Sequence, residues 1–388
     1  DVSLADGRIA DIAPHRSETA PAGTDVVEGR GRLLVPPFAD VHTHLDSTRL
    51  GLPFRPHTAA PGIWNMVLND RENWRQAEWP VAQRASHTLG LMIARGTTRV
   101  RSYAQVDVDC RLERLEAVLA ARDEHAERCS VEVIAFPQAG LLREKGTMAV
   151  FEAAVAAGAD VVGGIDPCLL DRDPVCHLDM VFGLAERHHL PVDFHLHEPG
   201  ELGVFSVDLI CERIRALSMH GRVTISHGYS LGAVSESTTR RLIDEFAALD
   251  VSMATVAPSI TTGLPLVDLT EAGVRVGLGE DGQRDYWSPY GNADMLDRTW
   301  QLAFTNGFRR ADLIEHCLAV ATVGGAAVLD PAAVRLTSIA DRPGLAVGDP
   351  AELLIVDGES VAAAVLDRSR DRTVIHRGRV VADELKLV

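Results

Sequence analysis

Two closely spaced histidine pairs carry the first chemical signal in this chain: His42-Thr43-His44 and His195-Leu196-His197. In an extended strand residues i and i+2 point to one face, so each pair offers two imidazoles that can converge on one ion. Further polar residues recur at the ends of other apolar runs. Glu198 lies one residue past the second pair, His227 follows Thr224-Ile-Ser, and Asp281 follows Gly279-Glu. Gathered around one axis, three imidazoles and a carboxylate would hold a single Zn2+ or Fe2+ and leave one position open, which is a catalytic arrangement and not a structural one. Such an ion lowers the pKa of bound water to about 7, so hydroxide becomes available at neutral pH. Spacing alone does not choose between His195 and His197, because the two share a face.

These residues need strands to carry them. Eight apolar runs of strand length are present: Pro36–His44, Thr98–Gln105, Ser130–Pro137, Val161–Pro167, Pro191–Glu198, Arg222–Gly228, Val251–Pro258 and Val274–Asp281. Segments of helical period lie between them, among them Glu113–Arg128, Met148–Gly158, Leu178–His189, Ser206–Gly221 and Glu236–Leu249. The alternation predicts an α/β fold, a TIM-like (β/α)8 barrel whose site lies at the carboxyl ends of its strands; a doubly wound open sheet is the competitor. The two ends read differently. Val2–Ile12 holds Asp-Gly between short β-like runs, and Leu353–Val356 and Thr373–Ala382 are short strands, the second broken at Arg377-Gly378. They predict a small β-sandwich domain built from both termini (residues 1–32 and 337–388), with the barrel (residues 33–336) inserted between them.

Composition narrows the partners. The chain has 388 residues, 46% apolar and 24% charged, which excludes a disordered or fibrous class. A net charge of −17 repels phosphate backbones and anionic lipid, and with only 10 Phe, 5 Trp and 4 Tyr a base-stacking surface is lacking. No nucleic-acid or membrane partner is therefore expected. With no apolar run of 18 residues and no signal peptide, a cytoplasmic protein is expected, acting on a small molecule as a homo-oligomer. The six cysteines show no Cys-x-x-Cys pair and read as reduced core thiols.

The ordered set of motifs is recognisable. Val35-Pro-Pro-Phe-Ala-Asp-Val-His-Thr-His-Leu-Asp46, Val133-Ile-Ala-Phe-Pro-Gln-Ala-Gly140, Phe194-His-Leu-His-Glu198, Thr224-Ile-Ser-His227 and Gly279-Glu-Asp-Gly282 resemble the amidohydrolase superfamily in its cytosine deaminase branch. Val161-Val-Gly-Gly-Ile-Asp-Pro167 and Arg284-Asp-Tyr-Trp-Ser-Pro-Tyr-Gly-Asn-Ala-Asp-Met295 resemble the neighbouring N-isopropylammelide isopropylaminohydrolases. The resemblance implies His42, His44, His195 and Asp281 as metal ligands, Glu198 as proton shuttle and His227 as the residue that orients or deprotonates the attacking water. His197 then supports the ligands from behind. It further implies deamination: attack on the sp2 carbon of an amidine-like C–N bond, protonation of a ring nitrogen by Glu198, and departure of the amine. Two departures place the substrate between precedents. Cytosine deaminases carry a second acidic residue where this chain has Gly282, and the isopropylammelide enzymes carry Asp where it has Glu198. An aminopyrimidine or aminotriazine is expected, with an N-alkylamino triazine or a ring amide as the alternative.

Other residues fill out the expected site. Gln138 offers a donor and acceptors for a lactam or ureide edge, as the matching Gln of cytosine deaminases does, and Phe136 and Trp287 are placed to sandwich a flat ring. The stretch from Asp46 to Ala77 exceeds an ordinary βα loop and reads as a lid, with Trp64 or Arg55 closing over substrate. Gly228-Tyr-Ser-Leu-Gly232 fits the G-x-S-x-G elbow of serine hydrolases, with Asp281 and His316 following in order; that competing reading through Ser230 leaves His42, His44 and His195 without a role.

Overall fold

The computed structural model describes residues 1–15, 23–258 and 263–388. Its strands are β1 (Val2–Ala5), β2 (Arg8–Ile12), β3 (Leu33–Val35), β4 (Phe38–Thr43), β5 (Thr97–Gln105), β6 (Ser130–Phe136), β7 (Val161–Ile165), β8 (Val192–Leu196), β9 (Val223–His227), β10 (Ser252–Thr255), β11 (Arg275–Leu278), β12 (Leu353–Val356), β13 (Arg372–His376), β14 (Arg379–Asp383) and β15 (Lys386–Leu387). The helices are α1 (Ile63–Asn73), α2 (Val81–Ala94), α3 (Glu113–Glu124), α4 (Thr147–Ala156), α5 (Pro174–His188), α6 (Gly200–Ala216), α7 (Glu236–Leu249), α8 (Leu266–Glu271), α9 (Met295–Thr305), α10 (Ala311–Ala319), α11 (Gly325–Leu329) and α12 (Val361–Asp367).

Strands β4 to β11 form one parallel eight-stranded sheet in chain order. The order meets itself through a parallel bridge between Thr43 and Asp281, with the Asp281 N–H donated to the His42 carbonyl at 2.7 Å. Sequential order with closure excludes the doubly wound alternative. Every residue of β7 to β11 is buried, as befits strands covered on one face by helices and on the other by the barrel interior. Helix α7 shows the local logic: the Ser235 side chain accepts the Thr238 N–H at its start, and Leu242, Ile243, Phe246 and Leu249 make one buried stripe against the barrel.

The five-stranded antiparallel sheet runs β15-β14-β13-β12-β3 and so joins both ends of the chain. The β1–β2 hairpin covers it, with Ile9, Val2 and Leu4 packed on Leu353, Ile355 and Ile375. Arg372 fastens this sheet to the barrel through Asp294 (2.7 Å) and the Arg95 carbonyl (2.8 Å). The stretch Ala311–Leu329 is one continuous 19-residue helical run, long and apolar enough to span a bilayer, yet its most apolar 18-residue window, of mean hydropathy 1.5, is 72% buried inside the protein. It serves as a core element, with its Gly325 backbone against Ala39 of β4.

Inside the barrel the packing is partly polar. Arg101 pairs with Glu132 and Asp193, and the Tyr103 hydroxyl donates to Asp193 at 2.9 Å. All six cysteines are free, four of them buried and Cys168 and Cys176 half-buried, so the core expectation applies to four.

Candidate active site

The carboxyl ends of β4, β8, β9 and β11 bring five side chains to one point. His42 Nε2 and His44 Nε2 each lie 3.4 Å from Asp281 Oδ1, and His195 Nε2 lies 3.3 Å from His44 Nε2. The His227 ring is centred 4.7 Å from that of His42 and 5.1 Å from that of His195. Ligand-type atoms of His42, His195 and His227 fall within 4.8 Å of one another, as do those of His42, His44 and Asp281.

Backbone geometry aims these groups inward. His44, His197, Glu198 and Asp281 lie just past the last ladder residues of their strands. His227 and Asp281 have φ of 68° and 63°, the left-handed region that costs a non-glycine residue on the order of 1 kcal/mol or more and persists where its surroundings over-determine it.

Electrostatics sets the protonation states. Burial pushes His42 down and His195 and His227 far down, with repulsion among the imidazoles adding to the effect in His195 and His227. Burial also works to raise Asp281, but His42 and His44 outweigh it and hold the carboxyl well below its usual range. For His44 burial is outweighed by Asp281, and the net shift is upward. The neutral form favoured for His42, His195 and His227 and the ionised form favoured for Asp281 are those in which such side chains bind metal. Nδ1 of His42, Nδ1 of His195 and Nε2 of His227 are buried without a hydrogen-bond partner among the described residues, and His42 Nε2 has only Asp281 Oδ1 at 3.4 Å. An unpaired buried polar atom costs about 1–3 kcal/mol. A divalent ion can take one ring nitrogen from each ligating histidine together with an Asp281 oxygen, so the donor set fits a metal.

The surroundings complete the site. Tyr103 lies behind the cluster, stacked on His44 at 5.0 Å and 4.2 Å from His195. Phe136 is buried and stacks on His195 at 4.2 Å, so it backs the cluster directly. Gln138 is buried, and among the described residues its side-chain amide has no partner. Trp287 is half-buried in the loop after β11. Glu198 is wholly buried: Oε1 accepts the N–H groups of Cys168 (2.7 Å) and Leu169 (2.8 Å), and Oε2 accepts the Ser206 hydroxyl. Burial raises Glu198 against the pull of those hydrogen bonds. His197 borders the cluster, its ring 4.2 Å from that of His227, and is held by Asp166: its Nδ1 lies 2.8 Å from Asp166 Oδ2, and its backbone N–H is donated to Asp166 Oδ1 at 2.7 Å.

The segment after β4 is anchored at several points. Trp64 of α1 packs with Ile63 on the cluster of Tyr103, Phe136 and Leu170 at the barrel mouth, and Arg143 lies over its ring at 4.1 Å. Arg55 points elsewhere, to Glu78 at 2.9 Å. Buried Asp70 of α1 pairs with Arg114 of α3. Two residues without an assigned role in the sequence lie against the site: Tyr103, on His44 and His195, and Asp166, on His197. Asp166 alone carried a signal, as one more acid at a strand's carboxyl end. The elbow reading fails on geometry: Ser230 Oγ is buried without a partner, His316 Nε2 lies 3.1 Å from Thr270 Oγ1, and Asp281 is committed to His42 and His44.

Comparison with known proteins agrees with this architecture. Residues 76–382 match the amidohydrolase family. The N-isopropylammelide isopropyl amidohydrolase of Pseudomonas sp. (strain ADP) is 27% identical, over 100% of this chain and 94% of that protein. Among solved structures, the N-isopropylammelide isopropylaminohydrolase of Burkholderia multivorans ATCC 17616 superposes with a TM-score of 0.90 at 36% identity, covering 100% of this chain and 95% of the other. The 5-methylcytosine deaminase of Klebsiella pneumoniae, liganded with 5-fluorocytosine, gives 0.82 at 29% identity over 98% and 93%.

Proposed function

The chain belongs to the amidohydrolase family, hydrolases of C–N bonds, and on that premise we propose that it is a metal-dependent deaminase releasing the exocyclic amine of a small aminopyrimidine or aminotriazine. One observation carries the reading: His42, His44, His195, His227 and Asp281 converge from separate strands, with buried ring nitrogens left unpaired. In this proposal His42, His44, His195 and Asp281 hold one Zn2+ or Fe2+. Bound there, such an ion would lower the pKa of water to about 7 and so make it a nucleophile at neutral pH. His227 orients the attacking water and steadies the charge that develops on the substrate. Asp281 takes up the water's proton at the oxygen turned away from His42 and His44. Glu198, raised by burial, protonates a ring nitrogen; the proton held by Asp281 goes to the departing amine, and the hydroxyl proton of the collapsing intermediate returns to Glu198. The amide of Gln138 reads a lactam or ureide edge and half-buried Trp287 flanks the ring; Phe136, expected there from the sequence, is instead wholly buried behind His195. A second reading, release of an alkylamine from an N-alkylamino triazine, is supported by the Pseudomonas and Burkholderia relatives, whose names specify that chemistry.

The test is elemental analysis of the purified protein, followed by chelation, add-back of Zn2+ or Fe2+, and a screen of aminopyrimidines, aminotriazines, N-alkylamino triazines and pterins for ammonia or alkylamine. The expected result is about one ion per chain, with activity lost on chelation and restored by metal. Protein free of metal, or turnover indifferent to the chelator, overturns the proposal.

A further inference from the structure

The metal-type ligands straddle the seam at which the barrel closes. His42 and His44 belong to the β4 side and Asp281 to the β11 side, and one bridge, Thr43 to Asp281, joins the two backbones there. Side chains complete the closure: Gln283 Nε2 donates to Thr43 Oγ1 at 3.0 Å, and the Gln283 carbonyl accepts from Thr48 Oγ1 at 3.2 Å. The width of this seam sets the spacing of His44 against Asp281.

Asp285 sits on the same seam. Its Oδ2 accepts the Ser47 hydroxyl at 2.9 Å, and that hydroxyl also lies 3.4 Å from the His44 carbonyl. Its Oδ1 accepts the N–H groups of Trp287 and Ser288, each at 2.8 Å. The residue is 7% exposed, and among the described residues it pairs with no Lys or Arg; the nearby charge that acts on it most is His44. A carboxylate buried without a cation is costly, so its retention calls for a use. Gly282 points to that use. A Cβ built there would lie 2.5 Å from Asp285 Oδ2 and 3.0 Å from its Cγ, and Gly282 itself does not adopt a left-handed φ. The missing side chain serves the neighbouring carboxylate and not a turn. At the position where the sequence departs from the cytosine deaminase pattern, the space is filled by a carboxylate from three residues downstream.

We propose that Asp285 is a positioning residue. Clamped to Ser47, it draws the loop carrying His44 against the loop carrying Asp281 and so fixes the ligand spacing across the seam. The inference rests on the reading that the cluster holds a divalent ion.

The test uses the full chain stripped of metal and reloaded with Co2+, read by equilibrium dialysis and by the visible d–d bands, with the unfolding midpoint of each metal-free variant as control. Asp285→Ala and Ser47→Ala should each weaken Co2+ binding about 10- to 100-fold and shift the bands. Their combination should be no worse than the weaker single variant. Asp285→Asn should rescue, because its oxygen keeps both N–H contacts and its amide can donate to Ser47 Oγ. Gly282→Ala should resemble Asp285→Ala, while Gly282→Ala combined with Asp285→Ala should add nothing, since the obstructing carboxylate is gone. Wild-type affinity and bands in both Asp285→Ala and Ser47→Ala, or an Asn variant as impaired as the Ala one, overturn the proposal. Should Asp285→Ala fail to fold, Ser47→Ala and Gly282→Ala carry the same comparison. A wild type that takes up no Co2+ overturns the metal reading itself, and the positioning role with it.

Discussion

Glu198, the proton donor of the proposed mechanism, also anchors local structure, and a pair of substitutions can separate the two. Its carboxylate accepts the N–H groups of Cys168 and Leu169 and the hydroxyl of Ser206, and it is wholly buried. Glu198→Gln keeps an oxygen for the two N–H groups and an amide that can donate to Ser206 Oγ, so its fold should hold to within about 1 kcal/mol. Glu198→Ala strands all three donors; at about 1 kcal/mol each, the low end for buried donors, it should cost roughly 3 kcal/mol. In a chain of 388 residues that is a fall of about 4 °C in the unfolding midpoint. The catalytic loss should differ in kind. Losing a positioned proton donor costs about 100- to 10,000-fold, so both variants should lose turnover to that extent while binding metal as the wild type does. The assays are thermal unfolding by circular dichroism, metal content, and steady-state amine release. Wild-type-like turnover in Glu198→Gln would move the proton-transfer role elsewhere, with His197 on Asp166 the next residue to examine. An Ala variant as stable as the wild type would refute the hydrogen-bond reasoning.

Three further outcomes are expected. Burial raises Asp70 to about 6 despite the opposing pull of Arg114. Between about pH 4 and that value the folded chain keeps a proton that the unfolded chain has released, so stability from this group is full at low pH and lost as pH rises through about 6. Asp70→Asn should therefore gain stability relative to the wild type over that window, by up to about 1.4 kcal/mol per pH unit, in urea unfolding at stepped pH; parallel curves would contradict the assignment. Gly164→Ala places a methyl 2.3 Å from the Phe194 ring between β7 and β8 and should destabilise by about 1–3 kcal/mol, visible as a lower denaturant midpoint; an unchanged midpoint would mean the ring yields freely. Ser230→Ala should retain turnover, and a fluorophosphonate should leave the wild type unlabelled, because Ser230 Oγ is buried without a base beside it.

The eight barrel strands were legible in the sequence because strands buried on both faces read as continuous apolar runs, and β7 to β11 are buried throughout. His42, His44, His195, His227 and Asp281 were legible because imidazoles and a carboxylate at the ends of such runs have few structural uses. The terminal strands announced themselves at Asp6-Gly7 and Arg377-Gly378, where the chain does reverse. The helices of the long segment after β4 carry no strong period, and the anchoring of α1 depends on Arg114 and Arg143, each far off in sequence.

Residue types and local spacing determined which side chains were available for chemistry and that the chain would alternate strand and helix, since both follow from periods of two and 3.6 residues. Closure of the β4–β11 seam was decided by tertiary structure alone, as were Tyr103 behind the imidazoles, Asp166 under His197 and Asp285 in the space beside Gly282. Each is a contact between residues whose proximity follows from how loops and strands settle in three dimensions, and side-chain period carries no information about such meetings.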